Sequence, residues 1–222
     1  TIIGSNGAGK STLMNSIAGV FPVDSGKIIL DGIDISRLPE HKRAKYIGRV
    51  FQDPLKGTAY DMTIEENLSI AYNKIRSRGL QAGINRRDRE IFREKLSLLG
   101  MGLEDRMKEK ARLLSGGQRQ ALTLFMAVIA KPKLLLLDEH TAALDPSAAK
   151  KVLELTDRFA GEDRMCTMMI THNMKAALEH GNRTILMQSG RIMMDISGEE
   201  REAMTVEKLV EKFEIDNDRM LL

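Results

Sequence analysis

A glycine-rich stretch, GSNGAGKS at residues 4–11, fits the spacing G-x-x-x-x-G-K-[ST] that binds phosphate groups. Glycines let the backbone curl so that successive N–H groups point at phosphate oxygens, and the following helix adds its positive N-terminal end. In this pattern Lys10 reaches the β- and γ-phosphates, and the Ser11 hydroxyl is placed for Mg²⁺. A plain glycine turn would explain the glycines but not the Lys10–Ser11 pair. We therefore expect nucleotide phosphates to contact Ser5, Asn6, Gly7, Ala8, Gly9, Lys10, Ser11 and Thr12.

An acidic pair ends the apolar run KLLLLDE at residues 133–139. An all-apolar run of this length is typical of a strand buried on both faces of a parallel sheet. In an open α/β sheet the carboxyl end of such a strand lies beside the phosphate loop, where ligands bind. We expect Asp138 to hold magnesium through water and Glu139 to polarise the attacking water. Many buried strands end in an acid, but together with the phosphate loop this one predicts an ATPase.

A second candidate anion site, LSGGQRQ at residues 114–120, places a serine and two glycines directly before an apolar helix. Backbone N–H groups at such a helix start form a nest that binds anions. A single phosphate site does not need two nests, so this one predicts a second contact to nucleotide. The alternative is an ordinary capped helix start.

With these motifs in this order, nearly the whole chain resembles the nucleotide-binding domain of an ABC transporter. GSNGAGKST at 4–12 matches Walker A, LSGGQ matches the signature motif and LLLLDE matches Walker B. Gln52 in VFQDP matches the Q-loop glutamine, ALD at 143–145 the D-loop, and His172 in ITH the switch histidine. The sequence DEHTAALDP resembles one subgroup of bacterial importer ATPases, for which amino acids are among the suggested cargoes.

The resemblance implies that two copies pair head to tail as a homodimer and bind two ATP molecules between them. Each ATP then lies between Walker A of one subunit and the signature of the other, which accounts for the second nest. The family also implies a separate integral membrane permease as a partner and, for importers, an extracytoplasmic substrate-binding protein. The chain is then expected in the cytoplasm, held at the inner face of the cell membrane through the permease.

The resemblance also implies a role for each motif residue. The catalytic residues are Glu139, His172 and Gln52, and the metal is bound by Ser11, Gln52 and Asp138. His172 bridges the γ-phosphate and water, while Gln52 also senses the membrane subunit through the neighbouring loop. The contacts to the partner's ATP come from Ser115, Gly116, Gly117 and Gln118, and Asp145 reaches across the interface.

The elements that must position these residues alternate between strands and helices, which indicates an α/β fold with a mainly parallel sheet. This is the P-loop NTPase (RecA-like) class, with an inserted α-helical subdomain. We expect one domain, with its core in residues 1–53 and 119–200, the helical subdomain in 54–118 and a C-terminal helix in 201–222. Asp31-Gly32 predicts a two-residue hairpin. Thr63 and Glu66 predict a capped helix start, and Phe92, Leu96 and Leu99 predict one buried helix face.

The net charge and the few cysteine and histidine residues indicate which kinds of partner and site to expect. The net charge of +3 is too mild to indicate direct nucleic-acid binding, and the basic cluster at 76–90 also carries acids, as a solvated helix face does. The single cysteine, Cys166, lies in an apolar run and is expected to be an inert core thiol. Of four histidines, His41 and His180 are expected at the surface, and His140 stands where the family most often has proline.

The sequence leaves two other functions open. The chain could be a soluble ABC-type ATPase that acts on ribosomes or DNA, although a single domain without heptads favours transport. It could also be a truncated scaffold that does not hydrolyse ATP. Only Thr1, Ile2 and Ile3 precede the phosphate loop. We therefore expect a fragment that lacks the family's first strands and the aromatic residue that stacks on adenine.

Overall fold

The computed structural model describes residues 1–73, 84–162 and 165–218. The strands are β1 (Ile2–Gly4), β2 (Ile29–Leu30), β3 (Ile33–Asp34), β4 (Ile47–Val50), β5 (Leu134–Asp138), β6 (Cys166–Ile170), β7 (Arg183–Gln188) and β8 (Arg191–Ser197). The α-helices are α1 (Lys10–Ala18), α2 (Glu40–Arg43), α3 (Ile64–Asn73), α4 (Arg86–Ser97), α5 (Gly116–Val128), α6 (Pro146–Glu162), α7 (Met174–Glu179), α8 (Gly198–Glu202) and α9 (Val206–Asp218). Short 3₁₀ turns lie at Pro54–Gly57, Leu103–Asp105 and Ala111–Leu113.

The main sheet has six strands in the order β4-β5-β6-β1-β7-β8. The pairs from β4 through β7 are parallel, and only β8 runs antiparallel, to β7. Leu134 to Leu137 are all buried, as the apolar run in β5 predicts for a strand covered on both faces. The order and direction of the strands confirm the α/β P-loop NTPase class.

Helices cover both faces of this sheet. One buried cluster joins α1 to β1 and β5 through Met14, Ile2 and Leu136. A second cluster joins the other face to α3, α4, α5 and α6, and it includes Phe92, Leu96 and Leu99 on the helix face that the sequence predicts. The helices between residues 54 and 118 therefore share a buried cluster with α5 and the sheet, and their status as a separate subdomain stays a prediction.

Local signals in the sequence are confirmed in three places. Asp31 and Gly32 have φ of 52° and 78° and join β2 to β3 as a two-residue hairpin. The Thr63 hydroxyl accepts a hydrogen bond from Glu66 N at 3.2 Å, and the Glu66 carboxylate accepts from Thr63 N at 2.7 Å. In the tail, the expected C-terminal helix is α9 (Val206–Asp218), whose Leu209 is buried, and α8 (Gly198–Glu202) precedes it.

Some expectations are wrong or lie outside the described residues. Cys166 is exposed at the amino end of β6, although the preceding Met165 is buried, and burial within the strand increases toward Ile170. His41 is exposed as expected, but the His180 side chain is only 18% exposed, and its Nδ1 lies 2.7 Å from Asp157 Oδ2. Part of the basic cluster, residues 76–83, and the end of the tail, residues 219–222, lie outside the described part of the chain.

Two glycines offer a matched test of the packing between α5 and the sheet. A Cβ atom on Gly48 in β4 would lie 2.4 Å from the Ala127 carbonyl oxygen, whereas one on Gly161 in α6 would meet nothing within 4 Å. We expect Gly48→Ala to lower the free energy of unfolding by about 1–3 kcal/mol, because the backbone of α5 must move. Gly161→Ala should raise it by about 0.5–1 kcal/mol, because alanine loses less entropy in a helix. Urea denaturation of both variants measures the free energy of unfolding. An equal change in the two variants would contradict the close packing of α5 on Gly48.

Candidate active site

The glycine-rich loop connects β1 to α1 and closes around its own lysine. Gly7 and Gly9 have φ of 81° and 96°, which glycine adopts without strain. The Lys10 ammonium donates hydrogen bonds to the Gly4 and Ser5 carbonyl oxygens at 2.8 and 2.9 Å. Burial lowers the pKa of Lys10, while the negative charges of Glu139 and Asp138 act in the opposite direction. The loop therefore holds a buried cation within reach of the two acids that end β5.

The β7–β8 hairpin packs against this loop. A Cβ atom on Gly4 would lie 2.3 Å from the Met187 carbonyl oxygen, so only glycine fits at that position. The Gly190 N–H donates to the Ala8 carbonyl oxygen at 3.0 Å. A Cβ atom on Gly9 would lie 3.3 Å from the Gly190 Cα. The loop's path thus depends on a turn that is far away in the sequence.

Three of the predicted catalytic residues meet at the carboxyl ends of β4, β5 and β6. Gln52 Nε2 donates to Glu139 Oε2 at 3.1 Å, and His172 Nε2 lies 2.7 Å from Glu139 Oε1. These strands are neighbours and run parallel, so the residues that follow them share one edge of the sheet. The Glu139 side chain is 15% exposed and the His172 side chain 47% exposed. A small ligand or water can therefore approach the pair from the His172 side.

Asp138, directly before Glu139, is partly buried at the end of β5. Burial raises the pKa of its carboxyl group, which the positive charges of Arg49 and Lys10 oppose. Ser11, in the first turn of α1, is exposed and offers a hydroxyl oxygen. Because Gln52 uses its NH₂ group toward Glu139, its carbonyl oxygen is the atom left for a cation.

This donor set fits magnesium bound together with phosphate. The described residues contain no cluster of three or more His, Cys, Asp or Glu side chains that could hold a metal. Mg²⁺ is commonly bound by one or two carboxylates plus substrate phosphates and keeps several waters, and it prefers oxygen ligands. Asp138, Ser11 and Gln52 supply such oxygens beside the phosphate loop. The residues therefore suit a metal that arrives with a nucleotide.

The predicted signature residues open helix α5. Ser115 is the N-cap, and its hydroxyl accepts from Gln118 N at 3.2 Å, while Gln118 Oε1 accepts from Ser115 N at 3.2 Å. This is the capped helix start that the sequence left as an alternative, and it is compatible with a nest because Gly116 is exposed. Contact of Ser115, Gly116, Gly117 and Gln118 with a partner's nucleotide stays a prediction.

Asp145 begins helix α6 next to the signature residues. Its Oδ1 accepts hydrogen bonds from Ser147 N at 3.1 Å and Ala148 N at 3.0 Å. A Cβ atom on Gly117 would lie 2.7 Å from the Ala148 Cβ, so the first turns of α5 and α6 are in close contact. The site residues thus form two groups, one around Glu139 and one at these two helix starts. Among the described residues no hydrogen bond or ion pair joins the two groups.

Two neighbours of the site were not predicted from the sequence. Arg49 in β4 donates to Asn15 Oδ1 at 2.6 Å and lies 4.6 Å above the Phe51 ring. A charged residue within a buried strand, three positions before Gln52, is the signal that could have revealed it. The other neighbour is His140, which is only 2% exposed and lies 3.1 Å from the Thr156 hydroxyl. Burial, with a smaller effect from the charge of His180, lowers the pKa of His140 to about 4.

The chain also resembles known proteins. Residues 1–142 match the ABC transporter family. The tyrosine transport ATP-binding protein of Clostridioides difficile is 46% identical over 96% of this chain and 85% of that protein. The methionine import ATP-binding protein MetN of Corynebacterium jeikeium is 39% identical over 86% of this chain and 50% of its own length.

Solved structures agree with these relatives. The dimeric post-hydrolysis state of the ATP-binding cassette MJ0796, bound to ADP and Pi, superposes with a TM-score of 0.71 at 28% identity, covering 88% of this chain and 83% of that one. A nucleotide-free ATP-binding cassette from an ABC transporter gives a TM-score of 0.74 at 26% identity, covering 90% and 81%. The phosphate loop, the Glu139 site and these similarities together show that the chain belongs to the ABC transporter family, as one of its ATP-binding and ATP-hydrolysing subunits.

Proposed function

We propose that this ATPase powers the import of an amino acid through a separate integral membrane permease. The observation that carries the hydrolytic part is the Glu139 carboxylate held between Gln52 and His172. The cargo class is supported by relatives named for the transport of tyrosine, methionine and branched-chain amino acids. No helix in the described ranges has the length and apolarity to cross a bilayer. We place the chain at the inner membrane face, held there by the permease, with an extracytoplasmic binding protein delivering the cargo.

ATP binding begins at the glycine loop. The phosphates displace the Gly4 and Ser5 carbonyls as partners of Lys10, whose buried charge then attracts the β- and γ-phosphates. Residues Ser5 to Thr12 supply backbone N–H groups and the positive end of α1. Bound Mg²⁺ would neutralise charge on the phosphate oxygens. Ser11, Asp138 and Gln52 are the residues that would hold it.

Hydrolysis requires Glu139 to receive an attacking water. Both of its oxygens have protein partners, Gln52 on one and His172 on the other. Each carboxylate oxygen can accept more than one hydrogen bond, so a water can bind Glu139 beside these partners, and it can approach past His172, the more exposed of the two. Released from Glu139, His172 can contact the γ-phosphate. Glu139 then orients and polarises the water, which is positioning and charge stabilisation rather than covalent catalysis.

The second group of site residues acts on a partner's nucleotide in a head-to-tail homodimer. Helix α5 has 13 residues, and its start carries the exposed Gly116 with Ser115 and Gln118 beside it. A partial positive charge at that end suits a phosphate from outside the chain. Asp145, at the start of the adjoining helix α6, reaches across the same interface. The dimeric state of the MJ0796 cassette supports this arrangement.

A groove beside Gln52 suits the permease. It has a volume of about 380 Å³ and lies between the sheet and α3, lined by Phe51, Lys56, Asn67, Ile70 and Met126 among others. Ile70 is 51% exposed although it is apolar. Because Phe51 lines the groove and precedes Gln52, a helix bound there can shift the Gln52 contact to Glu139. This gives Gln52 its coupling role.

The role of Lys10 is tested by Lys10→Ala. Loss of its ammonium removes the buried charge that meets the phosphates, so ATP affinity should fall at least about a hundredfold. Isothermal titration with Mg-ATP measures the loss, and Lys45→Ala, which removes an exposed lysine, is the control. Unchanged affinity in Lys10→Ala would overturn the assignment of the phosphate loop.

The role of Glu139 is tested by Glu139→Gln. The amide keeps the size of the side chain but does not polarise water, so turnover should fall about a hundredfold or more while ATP still binds. The bound ATP should then hold two copies together, which gel filtration with ATP detects. A species that stays monomeric with ATP would count strongly against the head-to-tail dimer.

The docking groove is tested by Ile70→Asp. A charge in the groove should prevent co-purification with the permease subunit, because an apolar contact is replaced by a buried carboxylate. Ile33→Asp, on the exposed β2–β3 hairpin, is the matched control. Equal recovery of the membrane protein with both variants would exclude the groove as its docking site.

The cargo class is tested by uptake. Cells that lack this chain should lose uptake of at least one radiolabelled amino acid from a complete panel, and the wild-type gene should restore it. The Glu139→Gln gene should not restore it, because transport needs hydrolysis. Normal uptake of every amino acid in the deletion strain would refute the cargo class while leaving the ATPase untouched.

A further inference from the structure

The turn that carries Glu139 has a strained backbone. Glu139 has a φ of 45°, in the left-handed region that residues other than glycine rarely adopt. Such a conformation persists only where the surrounding structure holds it. Within the turn, the Glu139 N–H donates to the Ile170 carbonyl at 3.1 Å, and the Ala142 N–H donates to the Glu139 carbonyl at 3.0 Å. The first bond attaches the turn to β6 and the second closes the turn itself, so the strained conformation calls for a second attachment on its other side.

His140 supplies that second attachment. It is 2% exposed, and its Nε2 lies 3.1 Å from the hydroxyl of Thr156, which is itself 5% exposed in the middle of α6. The Thr156 hydroxyl also lies 2.9 Å from the Val152 carbonyl oxygen, to which it donates its single proton. The hydroxyl can then only accept from His140. Nε2 therefore carries the proton, and the direction of the bond is fixed.

The helix to which His140 is attached also carries the second group of site residues. Helix α6 begins at the Asp145 cap, and Ala148 in its first turn touches Gly117 at the start of α5. Thr156 is on the same rigid helix. The His140–Thr156 bond thus connects the turn of Glu139 to the helix that bears Asp145.

We propose that His140 is a positioning residue for ATP hydrolysis, which holds Glu139 in its strained turn through a hydrogen bond from Nε2 to Thr156 on α6. The proposal rests on the proposed role of Glu139. His140 does not touch the reacting atoms, and its effect reaches them only through the backbone of the turn. A substitution of His140 should therefore lower the rate of hydrolysis, which depends on Glu139. It should leave the affinity of the glycine loop for ATP unchanged.

Two amide substitutions distinguish the effect of this hydrogen bond from the effect of the volume of the His140 side chain. In glutamine the amide nitrogen is as many bonds from Cβ as Nε2 is in histidine, whereas in asparagine it is one bond closer. His140→Gln can therefore reach Thr156 and His140→Asn cannot. Thr156→Val removes the acceptor with little change in shape. Thr123→Val is the matched control, since Thr123 is a buried threonine in α5 whose hydroxyl donates to the carbonyl four residues earlier, at 2.9 Å.

The measurements are steady-state hydrolysis and the Kd for Mg-ATP from isothermal titration. We expect kcat to fall about tenfold in His140→Asn and in Thr156→Val, because a small misplacement of Glu139 is costly. The Kd for Mg-ATP should stay within about twofold, and His140→Gln and Thr123→Val should keep kcat within about threefold of the wild type. The double variant His140→Asn/Thr156→Val should lose no more than either single variant, because both remove the same bond.

Hydrogen exchange without nucleotide gives a readout that is independent of activity. The Ala142 amide should exchange at least about fivefold faster in His140→Asn and Thr156→Val, and at the wild-type rate in His140→Gln. The proposal is overturned if His140→Gln loses as much kcat as His140→Asn. It is also overturned if Thr156→Val matches Thr123→Val in both kcat and exchange. If Glu139→Gln hydrolyses ATP like the wild type, the proposed function has failed instead.

Discussion

The site depends on one geometric constraint: three neighbouring parallel strands end at the same edge of the sheet. Gln52, Glu139 and His172 follow β4, β5 and β6, and this adjacency brings Gln52 and His172 within hydrogen-bond distance of Glu139. The carboxylate between the other two side chains is mostly shielded from water, so its electrostatic interactions are stronger than they would be in bulk solvent. The apolar run in β5 and the buried clusters on both faces of the sheet hold the carboxyl ends of these strands in place.

Charge balance explains how the glycine loop accommodates a buried lysine. Lys10 is buried, which is costly for a cation unless partners compensate. Its partners are two carbonyl oxygens of its own loop, with Asp138 and Glu139 nearby. A triphosphate brings negative charge and a replacement set of oxygens, so the exchange of partners costs less than exposing an unpaired ammonium. The loop is therefore suited to an anionic ligand.

The sequence predicted the elements whose signals are local. The spacing of Gly4, Gly9, Lys10 and Ser11 predicted the phosphate loop, the apolar β5 predicted a buried central strand, and Thr63 with Glu66 predicted a helix start. Contacts between distant residues had no such signal. The bond from His140 to Thr156 joins residues 16 positions apart, and its existence depends on how α6 packs. The exposure of Cys166 has a related cause, since an apolar run does not show which of its residues the helices cover.

The contact between Gly190 and Ala8 has a consequence for how the site tolerates variation. The phosphate loop is a local motif in the sequence, yet part of its backbone is held by a hairpin turn about 180 positions later. Libraries that vary Ser189 and Gly190 would therefore select for nucleotide affinity without altering any residue of the motif. A comparison of relatives based on the motif alone would miss such differences. The functional unit is therefore a pair of segments, the glycine loop and the β7–β8 turn that holds part of its backbone.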